Sequence, residues 1–310
     1  EGNPVIASPP KGMETTGFRD PYVWKEEDGW YMVIGSGIEG EGGTALLYRS
    51  SDLRNWEYLH PLCVGDIEED GEMWECPNFF SVGEKHILLV SALPLRQVLY
   101  YTGQYTADHT FEREKVGLLD HGGFFYAPQV LRERGGRRLM WGWIRDGRDE
   151  QGQREAGWSG AMTLPRVVSL REDGTLRFRV APELRLLRGE NAHYENVSIS
   201  PSSQLRPGME GDCLEILAVL EPADAQRCGI KVRCSPHEKE VTHITYDAAA
   251  ERLIMDRRKA SQKGLGANDQ RGVPLRLEDD GTLTLHIYLD RSIIEVFGNY
   301  CTCLTGWLYP

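Results

Sequence analysis

The feature that most restricts this chain is a proline-led hairpin that occurs three times. Pro21-Tyr22-Val23-Trp24 runs through Asp28-Gly29 into Tyr31-Met32-Val33-Ile34-Gly35. Pro77-Asn78-Phe79-Phe80 runs through Gly83 into His86-Ile87-Leu88-Leu89-Val90. Pro128-Gln129-Val130-Leu131 runs through Gly135-Gly136 into Leu139-Met140-Trp141-Gly142-Trp143. Each is a pair of strand-forming runs around a turn signal, and Asp-Gly is a strong hairpin dipeptide. Further strand runs, Ala45-Leu46-Leu47-Tyr48 and Val98-Leu99-Tyr100-Tyr101, follow the first two. A unit of about four strands recurring every ~40–50 residues is the pattern of a propeller blade. Because the proline returns at the same point of each unit, three unrelated hairpins in a sandwich are a weaker account.

Helix signals are sparse, so the chain reads as all-β: about three blades of a β-propeller over 1–165, followed by a β-sandwich. Near Arg166 the character changes. Charged segments such as Arg171-Glu172-Asp173-Gly174 and Ala181-Pro182-Glu183-Leu184 predict a linker over 166–193. From about Tyr194 to the end, alternating runs such as Leu214-Glu215-Ile216-Leu217-Ala218-Val219-Leu220 predict the separate sandwich, 194–310.

Composition narrows the function classes. A chain of 310 residues with 40% hydrophobic and 26% charged residues can build a sizeable core. A formal charge of −12 argues against a nucleic-acid surface, which needs a basic footprint. No apolar run is long enough to span a membrane as a helix. No targeting segment is visible at the start, which leaves the location open and favours the cytoplasm. Seven cysteines rule out a complete disulfide framework within one chain. Neither they nor the eight histidines have metal-ligand spacing, so neither a metal nor another cofactor is expected.

In a propeller the innermost strands of all blades converge on a central channel, so equivalent repeat positions meet. The prolines are preceded by Arg19-Asp20, by Trp74-Glu75-Cys76 and by Phe125-Tyr126-Ala127. Two carboxylates beside a pocket are what glycosidic cleavage needs: one protonates the leaving oxygen, the other attacks or stabilises the anomeric carbon. Trp74 and Phe79 would form an apolar wall that raises the Glu75 pKa toward that of a usable acid. There is a conflict, however. Asp20 stands one residue before its proline and Glu75 two before, so simple alternation sends them to opposite faces unless a bulge intervenes at one site. The plainer reading, a turn aspartate and a solvated glutamate, stays open on these grounds.

At these residues the chain resembles family 32 of the glycoside hydrolases, which comprises invertases, fructan hydrolases and sucrose-6-phosphate hydrolases. Gly17-Phe18-Arg19-Asp20-Pro21 and Trp74-Glu75-Cys76-Pro77 resemble its RDP and EC motifs. Phe125-Tyr126-Ala127-Pro128-Gln129, Gly157-Trp158-Ser159-Gly160-Ala161-Met162-Thr163-Leu164-Pro165-Arg166 and Asp290-Arg291-Ser292-Ile293-Ile294-Glu295-Val296-Phe297 follow in the family's order. Asn3-Pro4-Val5-Ile6 resembles the segment that leads into RDP. The resemblance implies a five-bladed propeller with a C-terminal sandwich and retaining hydrolysis of β-fructosides. It implies Glu75 as general acid/base and Asp20 as transition-state stabiliser. Arg19, Trp74 and Tyr126 would be substrate contacts, and Cys76 a support for Glu75.

Two departures shape the expectation. The family's nucleophile is an aspartate in a WMNDPNG-like motif, which this sequence lacks; Asn268-Asp269-Gln270 is a poor match. At ~50 residues per blade, two blades, roughly a hundred residues, are expected upstream. Phe124 also stands where the family often carries an acid. The resulting expectation is a fructosidase lacking its nucleophile and inactive as this chain. Its open blade edges and face would invite self-association. The competing readings are a fructan-binding module, one chain of a two-chain assembly, or an inverting enzyme that uses Asp20 and Glu75 alone.

Overall fold

The computed structural model describes residues 2–201, 203–264, 266 and 268–309. The first sheet is an antiparallel meander of β1 (Thr15–Glu26), β2 (Gly29–Ile38), β3 (Gly42–Ser50) and β4 (Glu57–Val64). The second repeats it with β5 (Met73–Val82), β6 (Lys85–Leu93), β7 (Gln97–Tyr105) and β8 (Phe111–Leu118). The third contains β9 (Phe125–Arg132), β10 (Arg138–Ile144), β11 (Ala161–Met162), β12 (Arg166–Leu170) and β13 (Leu176–Val180). A short helix, α1 (Glu150–Ala156), lies between β10 and β11.

Strands β2, β3 and β6 are buried almost throughout, as expected of strands covered on both faces. Tyr31, Val33, Trp74, Leu88 and Val90 form the core between the first two sheets. Ile87, Leu89, Val130, Met140 and Phe178 form the next core. The backbones come close at glycine: a Cβ on Gly35 would sit 2.4 Å from the Trp74 carbonyl oxygen. The far face of the first sheet, expected to be bare, is covered here. Met32, Ile34, Leu46 and Tyr48 are buried beneath Ile6, Met13, Phe18, Trp56 and Tyr58.

The expected linker over 166–193 needs revision. Its first half is the strand pair β12–β13, with Arg166 opposite Val180 and Leu170 opposite Leu176, and β12 pairs with β10. Val168, Leu176 and Phe178 are buried, which the apolar alternation under the charged residues permits. Only the segment after Val180 connects the two parts, beginning with a 3-10 turn, Pro182–Leu187.

The C-terminal part has two four-stranded sheets. One is ordered β14 (Cys213–Leu220), β19 (Leu283–Asp290), β20 (Ile293–Gly298), β21 (Thr302–Trp307). The other is ordered β15 (Arg227–Val232), β16 (Val241–Asp247), β17 (Arg252–Lys259), β18 (Gln270–Pro274). They share one core that includes Ile244, Leu253, Met255, Leu285, Ile287 and Val296.

A fully buried ion cluster joins the two parts. Arg166 of β12 donates to Glu295 of β20 at 2.7 Å and to Asp120, before β9, at 3.2 Å. Thr305 of β21 accepts from Arg166 at 2.6 Å and donates to Asp120 at 2.5 Å, and the Leu164 N–H donates to Glu295 at 2.7 Å. The guanidinium lies over the rings of Phe125 and Phe297. Burial pushes the Glu295 carboxyl up from its ordinary range, and Arg166 opposes that rise. Removing one member of such a cluster strands the others without compensation. Arg166→Met should therefore lower unfolding free energy by about 3–5 kcal/mol in urea denaturation. An unchanged midpoint would show that the cluster does not hold the two parts together.

Candidate active site

Each inner strand breaks its ladder at the proline. Arg19 pairs with Gly35 and Tyr22 with Val33, so Asp20 and Pro21 face one residue, Ile34. Glu75 pairs with Ser91 and Asn78 with Leu89, so Cys76 and Pro77 face Val90. Tyr126 pairs with Trp143 and Gln129 with Trp141, so Ala127 and Pro128 face Gly142. Two residues against one is a β-bulge, a place where proline's missing N–H costs no ladder bond. The first bulge residue has positive φ each time: 59° at Asp20, 47° at Cys76 and 47° at Ala127. The residue before proline is disfavoured in the right-handed helical region, and here it takes the left-handed one.

The bulge occurs at all three sites, not at one, so Asp20 and Glu75 are not equivalent positions. Arg19, Glu75 and Tyr126 are equivalent, and so are Asp20, Cys76 and Ala127. The three residues of the first set meet. Arg19 Nη1 donates to Glu75 Oε1 at 3.0 Å, and the Tyr126 hydroxyl donates to Glu75 Oε2 at 2.8 Å. Burial and the Glu75 carboxylate push the Tyr126 phenol up, so it stays protonated and a donor.

Asp20 joins through the second set. Its Oδ2 accepts from the Cys76 N–H at 3.0 Å and from Cys76 Sγ at 3.5 Å. Among the described residues its Oδ1 has no protein partner. Cys76 therefore supports Asp20, where the resemblance implied support for Glu75. Burial, then the Asp20 charge, pushes the Cys76 thiol up to about 12, so it is a thiol at neutral pH.

Trp74 does not reach the site. It is fully buried, its ring fits against Gly43 and Gly65, and its indole N–H donates to the Asp70 carbonyl at 2.9 Å. Side chains alternate along β5, so facing Glu75 inward turns Trp74 into the core. Phe79 packs with Trp24, Tyr105 and Phe111, and Phe124 lies under the Arg257 guanidinium. The expected aromatic wall beside Glu75 is therefore absent among the described residues; a salt bridge and a phenol hold the carboxyl instead. Asp269, the poor nucleophile match, is paired with Arg257 and Arg271 in the sandwich.

Two supporting residues escaped the sequence reading. Asn78, fully buried, donates to the Cys76 and Pro128 carbonyls at 2.9 Å each, and its Oδ1 accepts from the Val130 N–H at 2.9 Å. Ser91 Oγ accepts from the Ala127 N–H at 3.1 Å. An amide inside the apolar run Pro77-Asn78-Phe79-Phe80 was the available signal, since a buried polar side chain must find partners.

The family model "Glycosyl hydrolases family 32 N-terminal domain" matches residues 1–180, and "Glycosyl hydrolases family 32 C terminal" matches 183–310. The chain belongs to glycosyl hydrolase family 32. The two matches divide between Val180, where β13 ends, and the 3-10 turn. The chain is similar to an Escherichia coli sucrose-6-phosphate hydrolase, 32% identical over 95% of this chain and 61% of that protein. It is 33% identical to an Escherichia coli raffinose invertase, over 98% of this chain and 63% of the relative. The solved structure of Bombyx mori GH32 beta-fructofuranosidase BmSUC1 superposes with a TM-score of 0.80 at 28% identity, over 100% of this chain and 64% of that one. Cichorium intybus fructan 1-exohydrolase IIa, at 22% identity and a TM-score of 0.87, shares the fold. The chain thus spans about six-tenths of the length of the curated relatives it matches.

The Asp20–Cys76 contact can be tested by thiol chemistry, because only the thiolate reacts. In the parent, Cys76 should alkylate far more slowly than exposed Cys213 at pH 8, followed by mass spectrometry. Asp20→Asn removes the negative charge and should speed Cys76 alkylation. An unchanged rate would place the Asp20 carboxylate away from the thiol.

Proposed function

We propose that this chain is the acid/base part of a retaining β-fructoside hydrolase, with its three meander sheets as blades of a five-bladed propeller. The observation that carries the proposal is Glu75 held through both oxygens by Arg19 and Tyr126, with Asp20 alongside. Glu75 would protonate the leaving oxygen and then activate water. Asp20, with Oδ2 occupied by Cys76, would offer Oδ1 to a fructosyl hydroxyl and stabilise the positive charge of the transition state. Arg19 would exchange part of its contact with Glu75 for sugar hydroxyls as substrate enters. The relatives named above include a sucrose-6-phosphate hydrolase, a raffinose invertase and a beta-fructofuranosidase, which supports a β-fructoside such as sucrose or sucrose 6-phosphate as substrate class.

The nucleophile is then an aspartate outside these 310 residues. The isolated chain should hydrolyse neither sucrose nor inulin, because a retaining reaction without its covalent nucleophile loses many orders of magnitude. Calorimetry should detect fructose or short oligofructans on the isolated chain, and Asp20→Asn should weaken that binding. Turnover by the isolated chain that Glu75→Gln abolishes would overturn the division of labour. Tight fructan binding insensitive to Asp20→Asn and Glu75→Gln would favour a binding module that uses another surface.

A further inference from the structure

The end of β10 carries a residue that no motif includes. Arg145 follows Ile144, and its guanidinium carbon Cζ lies over the Tyr126 ring, 5.3 Å from the centroid. Its Nη2 donates to the Gly123 carbonyl at 2.9 Å and to the Arg96 carbonyl at 3.3 Å. These two carbonyls belong to the segment entering β9 and to the turn after β6, so Nη2 is held from two sides. The Arg145 backbone is fixed from a third, because the indole N–H of Trp307, in β21, donates to the Arg145 carbonyl at 2.6 Å. Trp307 is itself buried and stacks on Tyr309 with an interplanar angle of 7°. Asp146, the next residue, accepts from the Tyr309 hydroxyl at 3.2 Å and from the Arg148 guanidinium at 2.6 Å.

We infer that Arg145 is a positioning residue for Glu75. Seated by Trp307 of the sandwich, it holds the Tyr126 ring so that its hydroxyl stays on Glu75 Oε2. The inference rests on the reading of Glu75 as the acid/base. The path is physical at each step: an indole N–H on a carbonyl, a flat cation on a ring, and a phenol on a carboxylate. A planar guanidinium stacks on aromatic faces, which a lysine ammonium does not. A phenol has one rotatable hydroxyl, so fixing the ring plane fixes where its proton can go. The sandwich, far from the reacting bond in sequence, would thereby set the orientation of the group that handles the proton.

The test uses the 310-residue chain labelled with ζ-13C tyrosine, so it does not depend on hydrolysis. The Tyr126 resonance is the one lost in Tyr126→Phe, and Glu75→Gln shows its position without the carboxylate acceptor. Arg145→Met should move the resonance most of the way toward the Glu75→Gln position. Arg145→Lys should fail to restore it, and Trp307→Phe should move it in the same direction by less. In the Glu75→Gln background, Arg145→Met should add little, because the two act in series.

A Tyr126 resonance unmoved in folded Arg145→Met, or an equal displacement in both backgrounds, would overturn the inference. The first would leave Arg145 a packing residue, and the second a charge acting on the ring alone. Should Arg145→Met fail to fold, the lysine and Trp307→Phe variants decide in the same way. Failure of the fructosidase reading would show instead as turnover or binding insensitive to Glu75→Gln, with these resonances unaffected.

Discussion

A strand that must place an extra residue against its neighbour, just before a proline, cannot remain a simple strand. Asp20, Cys76 and Ala127 all meet this constraint with a left-handed backbone. The remainder of the site follows from it. The residue before the bulge is aimed at the neighbouring sheets, which brings Arg19, Glu75 and Tyr126 together. The bulge residue's freed N–H is satisfied by the preceding sheet, from Cys76 to Asp20 and from Ala127 to Ser91. The bulges therefore aim the functional side chains and also tie one sheet to the next.

The second dependence is between the two parts of the chain. Arg166, Asp120, Glu295 and Thr305 form a buried cluster with every charge matched by hydrogen bonds. Two of its members fall in motifs that mark the family, Thr163-Leu164-Pro165-Arg166 and Ile293-Ile294-Glu295-Val296-Phe297. Their charged residues meet at a junction that excludes water, where a missing partner costs more than the pair contributes. The sandwich also reaches the site side through Trp307 and Tyr309. It is thus packed on the N-terminal sheets by both ionic and aromatic contacts.

Some motif residues thus lie in the core and others at the candidate site, and the spacing of the chain alone does not sort them. Trp74 adjoins Glu75 in sequence but lies in the core, because side chains on one strand alternate. Cys76 adjoins it on the other side and serves Asp20. Trp74 and residues 166–180 depart from the sequence expectation for one reason: pleat and strand pairing, not local polarity or nearness in the chain, decide where a residue lies.

By itself the sequence determined the repeat, the all-β character and the ordered motifs, because each is a property of residues near one another in the chain. It also singled out Glu75, Asp20, Arg19 and Tyr126, which the structure brings close together. Only the tertiary structure decided which partners they have, that a bulge stands at all three sites, and that Arg166 closes a junction. The partners and the junction depend on residues 46 to 185 positions apart meeting across sheets, and the bulges on strand register within each hairpin. A one-residue offset at a bulge reverses the face of a side chain, and no local pattern records it.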